Sequence, residues 1–416
     1  MAKLLTICPY ELLPLRGGGA LRCFHLLRQL ARSHEVHAIV FQRENELRQE
    51  TEGYKVPDSL RIYSPLDEPP PSTQFHRLAP KLANALQYRW LRRSWSGPAA
   101  GEVLNSHHLI RRVLTENRID AVVFEHLSTM KAAPLVRRLS PGSVRILDAH
   151  NVDHKLYAQE LASRHGQAIP DRERRILAQT KWTEENLGRF VHGFWACSDR
   201  DRDALQALSG LGGFTIQNGI DTVARPFDPN PAKARIKTLL FCGSLSYGPN
   251  QKGLEWFRKE VWPQLRKADP SVRLRIIGSG AQPDQYAELG ADSTVEFLGE
   301  VDTVLPHYRQ SSVCIVPLLE GSGTRLKILE AMSLGNPVVS TRIGAEGLEV
   351  CDSKHLLLAD DPKAFTRAIL RLLGEPETFD NIRQSARRLV EARYDWVTIG
   401  SRMNAALEIM LQNARA

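Results

Sequence analysis

The feature that most constrains this chain is an alternation of short apolar runs with stretches of helical periodicity, carried nearly from end to end. Runs at 3 to 9 ("KLLTICP"), 35 to 41 ("EVHAIVF"), 120 to 126 ("DAVVFEH"), 144 to 150 ("VRILDAH") and 193 to 198 ("GFWACS") have strand length, and the segments between them suit helices. Strands separated by helices pair in parallel, so the pattern predicts parallel sheets with helices on both faces. The alternation breaks at "QNGIDTVARPFDPNPAKARIK" (217 to 237), which packs three prolines and a glycine into a connecting segment. It then restarts with "TLLFCGS" (238 to 244), "RLRIIGSG" (273 to 280), "VEFLG" (295 to 299), "VCIVPLL" (313 to 319), "PVVST" (337 to 341) and "HLLLAD" (355 to 360). Two doubly wound α/β domains are expected, over 1–215 and 226–390, and 416 residues are too many for one ordinary core.

Composition narrows the functional classes. A net charge of +8 favours anionic partners. No recognised nucleic-acid module accompanies that charge, so nucleic acid is not expected as a partner. The six cysteines stand at 8, 23, 197, 242, 314 and 351, and none is two residues from another, so they read as small buried apolar residues with no metal site. The N-terminus lacks a leader-type cleavage pattern, and no apolar stretch reaches the ~18 residues of a membrane span. The expected location is the cytoplasm.

The stretch "PLLEGSGTRLKILEAMSLGNPVVST" (317 to 341) reads as strand, Gly-rich turn, amphipathic helix and second strand. Such a turn aims first-turn amides and the positive end of the helix dipole at one place, which suits an anion. Arg325 and Lys327 oppose that dipole, and a bound phosphate would relieve the conflict. Gly323, Lys327 and Glu330 fall on one stripe, while Leu326, Leu329 and Met332 are expected to face the sheet. Glu330 would lie about 5 to 8 Å along the axis from the first turn, where a carboxylate can accept hydrogen bonds from a ribose. The alternative is a solvent-exposed helix whose glycines only turn the chain.

At these residues the sequence resembles the family 4 glycosyltransferases, retaining enzymes of the GT-B fold, in which two Rossmann-like domains face each other across a cleft. The resemblance rests on "GSGTRLKILEAMSLGNPVVST", "GAEGL" (344 to 348), "FCGSLSYGPN" (241 to 250), "QNGID" (217 to 221) and "LLLADDPKAF" (356 to 365). It is looser at "RGGGALR" (16 to 22), "DAHNVDH" (148 to 154) and "ACSDRDRDAL" (196 to 205). It implies a donor site made of Asn218, Gly243, Ser244, Lys252, Gly323, Thr324, Arg325, Lys327 and Glu330. Glu330 matches the second acid of the family pattern, the one expected on the donor ribose. Ser322 stands where the first acid belongs, and Ser244 where relatives carry an arginine. The phosphate-neutralising role is therefore expected of Arg325 and Lys327, without a metal or other cofactor.

In the first half, "PLRGGGALRCFHLLRQL" places Arg16, Gly17, Gly18, Gly19 and Arg22 in a strand-to-helix loop. That loop is either a diphosphate or acceptor loop or a plain turn. The resemblance makes His150 the group near the reacting centre, with Asp148, Asn151 and Asp153 to orient it and with Glu125 and His126 facing the acceptor. The implied reaction is transfer of a sugar from a nucleoside diphosphate sugar, UDP- or GDP-linked, to a hydroxyl with retention. The implied branch is bacterial surface polysaccharide or glycoconjugate synthesis, with a glycan, lipid-linked or small-molecule acceptor. Residues 75 to 95 read either as a basic amphipathic helix resting on the inner face of the cell membrane or as a helix packed on the first sheet. The family fold implies that a last helix from about 393 to 416 completes the first domain. Two rival readings share the sugar nucleotide: an epimerase of the same fold, and a non-catalytic sugar-nucleotide-binding subunit.

Overall fold

The structure is a computed structural model that describes residues 1–15, 17–49, 54–68, 106–165, 168–280, 292–321 and 325–414. Arg16, Gly323, Thr324 and the 75 to 95 segment lie outside the described residues. The chain forms two compact units, one of Met1–Gln217 with Ile399–Ala416 and one of Asn218–Thr398.

The first unit holds a sheet of seven parallel strands: β1 (Lys3–Ile7), β2 (Glu35–Ile39), β3 (Arg61–Tyr63), β4 (Ala121–Glu125), β5 (Val144–Ala149), β6 (Gly193–Ala196) and β7 (Gly213–Thr215). Their order is β3-β2-β1-β4-β5-β6-β7. Every residue of β4, β5 and β6 is buried, as expected of parallel strands covered on both faces. The order reverses direction between β1 and β4. In such sheets the crevice outside the strand C-termini at that reversal is where ligands bind. Glu125 ends β4, and His126 and His150 follow β4 and β5 at that end.

The second unit repeats the design with six parallel strands: β8 (Thr238–Cys242), β9 (Arg273–Ile277), β10 (Val295–Gly299), β11 (Val313–Val316), β12 (Val338–Ser340) and β13 (Leu357–Leu358). Here the order is β10-β9-β8-β11-β12-β13, and the reversal falls between β8 and β11. Side chains alternate between two cores. Leu239 and Phe241 pack with Leu274, Ile276 and Ile315, whereas Leu240 packs with Ile277, Cys314 and Val316. That period of two in a continuous apolar run is what a doubly covered strand requires.

Local signals set the helix ends. Ser198 caps the helix Asp199–Ser209 by accepting from the Asp201 amide, and Gly210 ends it in the left-handed conformation, φ 69°. Asp361 caps the helix Pro362–Gly374, which starts on proline. Among the described residues, no helix is long and apolar enough to cross a membrane. Four of the cysteines are buried and Cys242 is half-buried, but Cys351 is exposed, against the expectation for all six.

Candidate active site

In the second unit the crevice between β8 and β11 gathers most of the described donor candidates, namely Gly243, Arg325, Lys327 and Glu330. The helix Leu326–Ser333 buries Ile328, Leu329, Ala331 and Met332 against the sheet and leaves Lys327 and Glu330 half-buried on its other side. Lys327 crosses the crevice. Its Nζ donates to Asn250 Oδ1 at 2.8 Å and stands 5.1 Å from the centroid of the Phe241 ring. It also lies against Gly243: a Cβ on that residue would sit 2.5 Å from the ammonium and 3.0 Å from Asn250 Nδ2. Glycine at 243 therefore makes room for the cation. Desolvation pushes the Lys327 ammonium down to about 8, with Arg325 acting in the same direction and Cys242 against it.

Arg325, at the start of this helix, is buried, with 6% of its surface exposed. Its Nη2 reaches the Ile343 carbonyl at 3.5 Å, and burial lowers its pKa while Tyr247 and Glu346 oppose the shift. Gly321 has φ +116°, and a side chain there would press on Tyr247, Pro249 and the Arg325 guanidinium. Two glycines thus hold space beside two cations. Arg325 and Lys327, read from the sequence as the phosphate partners, are both drawn out of water.

Glu330 sits one turn along. Its Oε1 accepts from Arg225 Nε at 2.8 Å, and its Oε2 from the Tyr308 hydroxyl at 3.4 Å. Neither partner was visible as a site residue in the sequence. The loops after β8 and β9 close the floor of the crevice: the Gly243 amide donates to Ile277 O at 3.1 Å and the Leu245 amide to Ser279 O at 2.7 Å.

The remaining donor candidates are placed differently. Ser244 is exposed and exchanges a 3.0 Å contact with Ser246, while its carbonyl accepts from Asn250 Nδ2 at 2.7 Å. Lys252 pairs with Glu320 at 2.8 Å on an exposed face instead of joining Lys327. Asn218 is half-buried at the first residue of the second unit.

In the first unit, His150 follows β5 directly and is buried. The ring is 8% exposed. Its Nε2 lies 3.3 Å from Asp148 Oδ2 and 3.7 Å from Glu125 Oε2, and its Nδ1 lies 3.5 Å from the Tyr10 hydroxyl. Tyr10 stacks on His150 at 5.7 Å and 8°, while His126 meets His150 edge-on at 5.6 Å. Burial acts against the charged imidazole, but Asp148, Cys23 and Glu125 raise its pKa well above the ordinary histidine value. The Glu125 carboxyl, wholly buried and close to the Asp148 charge, is pushed up to about 7. Asp148 is held below the usual carboxylate range despite its burial, because Arg22 grips it.

Of the three groups expected to orient His150, Asp148 is the one within ion-pair distance of its Nε2, which makes no hydrogen bond. Asp153 pairs with His126 instead, Oδ2 to Nε2 at 3.4 Å. Among the described residues, no hydrogen bond joins Asn151 to the ring. His126 has φ +73°, a strained conformation for a side chain with a Cβ. Gly17 and Gly18 are exposed, and Gly17 has φ +84°. Gly19 is packed: a Cβ there would fall 2.6 Å from the Tyr10 ring, so this glycine lets Tyr10 lie on the helix Gly17–Ser33 and reach His150. Arg22, a loop cation in the sequence reading, is instead buried against Asp148.

Cys23, Glu125 and His150 bring three ligand-type atoms within 4.8 Å of one another, so the trio has a donor set that could take a metal. Its members already have partners: Cys23 Sγ donates to Glu125 at 3.3 Å, His150 Nε2 lies 3.7 Å from Glu125, and Arg22 pairs with the neighbouring Asp148.

Comparison with known proteins points to glycosyltransferases. The profile of the family Glycosyl transferases group 1 matches residues 236–375. A Klebsiella pneumoniae protein, described as an uncharacterized 44.6 kDa protein in the cps region, is 27% identical over 42% of this chain and 46% of its own length. The phosphatidyl-myo-inositol mannosyltransferase of Mycobacterium leprae is 27% identical over 55% of this chain and 60% of its own. The chain thus matches about half the length of these curated relatives. Anabaena HepE, solved in complex with UDP and glucose, superposes with a TM-score of 0.65 at 16% identity over 98% of this chain and 100% of its own. Residues 236–375 thus match the group 1 glycosyltransferase profile, and the chain has the GT-B fold of its structural neighbours.

Proposed function

We propose that this chain is a retaining glycosyltransferase of family 4 type that moves a sugar from a UDP- or GDP-linked donor to a hydroxyl acceptor in surface polysaccharide or glycoconjugate synthesis. The observation that carries the reading is Lys327, a cation brought across the β8–β11 crevice to the glycine at 243, with Glu330 one turn further along the same helix. A diphosphate placed there meets Lys327 and Arg325, and a carboxylate stands where a ribose would need one. Two cations are enough to balance the leaving group, so the reaction runs without a metal.

In the reaction the anomeric C–O bond to the phosphate breaks, and a bond to the acceptor oxygen forms on the same face of the sugar. The acceptor proton passes to the departing phosphate oxygen. The protein supplies position and charge. His150, whose imidazole is favoured in its charged form, orients and polarises the donor sugar and does not attack it. The Klebsiella relative from a cps region, the mannosyltransferase and the UDP-bound neighbour support a polysaccharide setting and a nucleotide-sugar donor.

The test is incubation with UDP- and GDP-sugars and a bacterial glycan or glycolipid extract, followed by NMR of the new anomeric centre. Acceptor-dependent release of nucleoside diphosphate with retained configuration is expected. Epimerised donor without acceptor, or binding without turnover, would overturn the reading.

A further inference from the structure

Lys327 is the cation that the proposed donor diphosphate would meet, yet nothing on its own helix holds its head in place. The group that does is Asn250, in the first turn of the helix Gly248–Trp256, just after Pro249. Asn250 is 4% exposed and uses both ends of its amide. Its Oδ1 accepts from Lys327 Nζ at 2.8 Å, and its Nδ2 donates to the Ser244 carbonyl at 2.7 Å. The chemistry fixes that orientation, because an ammonium can only donate and a carbonyl can only accept. Gly243 lies under both groups, and the Phe241 ring faces the ammonium.

An ammonium has three N–H donors, and Asn250 engages one of them. The amide thereby does two things at once. It holds a flexible four-carbon side chain to one position, and it ties that position to the main chain at Ser244, where relatives of the resembling family carry a cationic side chain.

We propose that Asn250 is a positioning residue for donor binding: its buried amide fixes the Lys327 ammonium at the Gly243–Ser244 turn, so that a cation from the Leu326–Ser333 helix serves the diphosphate there. The inference rests on the transferase reading given above. Asn250 touches no substrate. It acts through Lys327, and its contribution belongs to the phosphates and not to the base or ribose.

Isothermal titration of the full chain with UDP and GDP, and with uridine and guanosine, separates the two ideas. The unaltered chain should bind one diphosphate clearly better than its nucleoside. Asn250→Ala should weaken that diphosphate by about tenfold, the scale of one hydrogen bond to a charged group, and leave nucleoside affinity unchanged. In a Lys327→Met background the same substitution should have no further effect. Asn250→Asp should weaken the diphosphate at least as much, because it adds a negative charge and removes the donor to Ser244. As a near-isosteric change it carries the same comparison if the alanine variant does not fold. Equal diphosphate affinity in the single variants, parallel loss of nucleoside and diphosphate, or full additivity with Lys327→Met would each overturn the positioning role alone. If the unaltered chain binds neither diphosphate, the transferase reading fails and this inference falls with it.

Discussion

Arg22 clasps Asp148 with two parallel bonds, Nε to Oδ2 at 2.7 Å and Nη2 to Oδ1 at 2.6 Å, while its Nη1 donates to the Ile216 carbonyl at 2.8 Å. Both side chains are at most 1% exposed. Removing one partner of such a pair leaves an uncompensated buried charge, which costs about 3 to 5 kcal/mol. Arg22→Ala should therefore lower the unfolding free energy by that amount in urea denaturation. Arg22→Lys should recover only part of it, since a lysine cannot make the planar fork.

Lys327 sets a pH dependence for donor binding. Its folded-state value is depressed to about 8, chiefly by desolvation, and Arg325 and Cys242 are the charged or titratable groups that face it. Below that value the cation is present to meet a diphosphate. Above it, binding must first restore the proton. Nucleoside diphosphate affinity should fall as pH rises through about 8, by up to tenfold per pH unit, in calorimetric titrations from pH 6 to 9.5. Lys327→Met should flatten the profile.

The pair Arg225 and Glu330 predicts a graded response. Arg225 holds one carboxylate oxygen of Glu330 at 2.8 Å, and Tyr308 approaches the other. Glu330→Ala removes the proposed ribose partner and should raise the donor KM by about 10 to 100-fold, the scale of a charged hydrogen bond. Arg225→Ala leaves the carboxylate but not its orientation. Its KM should rise by less, with kcat nearly unchanged, in initial-rate assays over donor concentration.

Glu184 supplies a stability test away from the donor crevice. It caps the helix Asp153–His165 from below, accepting from the Asp153 amide at 2.7 Å, the His154 amide at 3.3 Å and His154 Nδ1. Burial and the Asp153 charge raise its pKa to about 8. A folded value above the unfolded one adds stability that is complete below the ordinary carboxyl range and is lost as pH climbs toward 8. Glu184→Gln keeps an acceptor and removes the titration. The variant should gain on the parent between pH 5 and 8, by at least about 1 kcal/mol at the upper end, in thermal or chemical unfolding series.

Metal removal should be without effect. With Lys327 and Arg325 balancing the donor, turnover in excess EDTA should match turnover in buffer with magnesium. A fall of tenfold or more, restored by a divalent cation, would refute the two-cation account.

Most of the architecture was legible because buried parallel strands write themselves as apolar runs. All eleven runs singled out contain a strand of the structure. Among the described residues the two missed, β3 and β7, are the edge strands of the first sheet and hold one buried residue between them, so no apolar run marks them. The helix Leu326–Ser333 was legible for the same reason, and it places Lys327 and Glu330 half-buried on the side away from the sheet. What could not be read were partners brought from afar. Asn250 stands 77 positions from Lys327, and Arg225 stands 105 from Glu330, and spacing along a chain carries no trace of such meetings. Lys252 and Asp153 show the converse. Each sits near the right motif, yet a neighbouring opposite group, Glu320 or His126, draws it elsewhere.

At Gly278 the main chain runs so close to Gly243 that even a methyl group would overlap its carbonyl oxygen at 1.8 Å. Backbone cannot yield as a side-chain tip can, so an added carbon would wedge β8 and β9 apart at their outlets and unseat the turn on which the ammonium rests. The crevice can change its tastes through the residues lining it, but its hinge-pin is two bare stretches of peptide in contact. At this position the backbone leaves room for glycine alone.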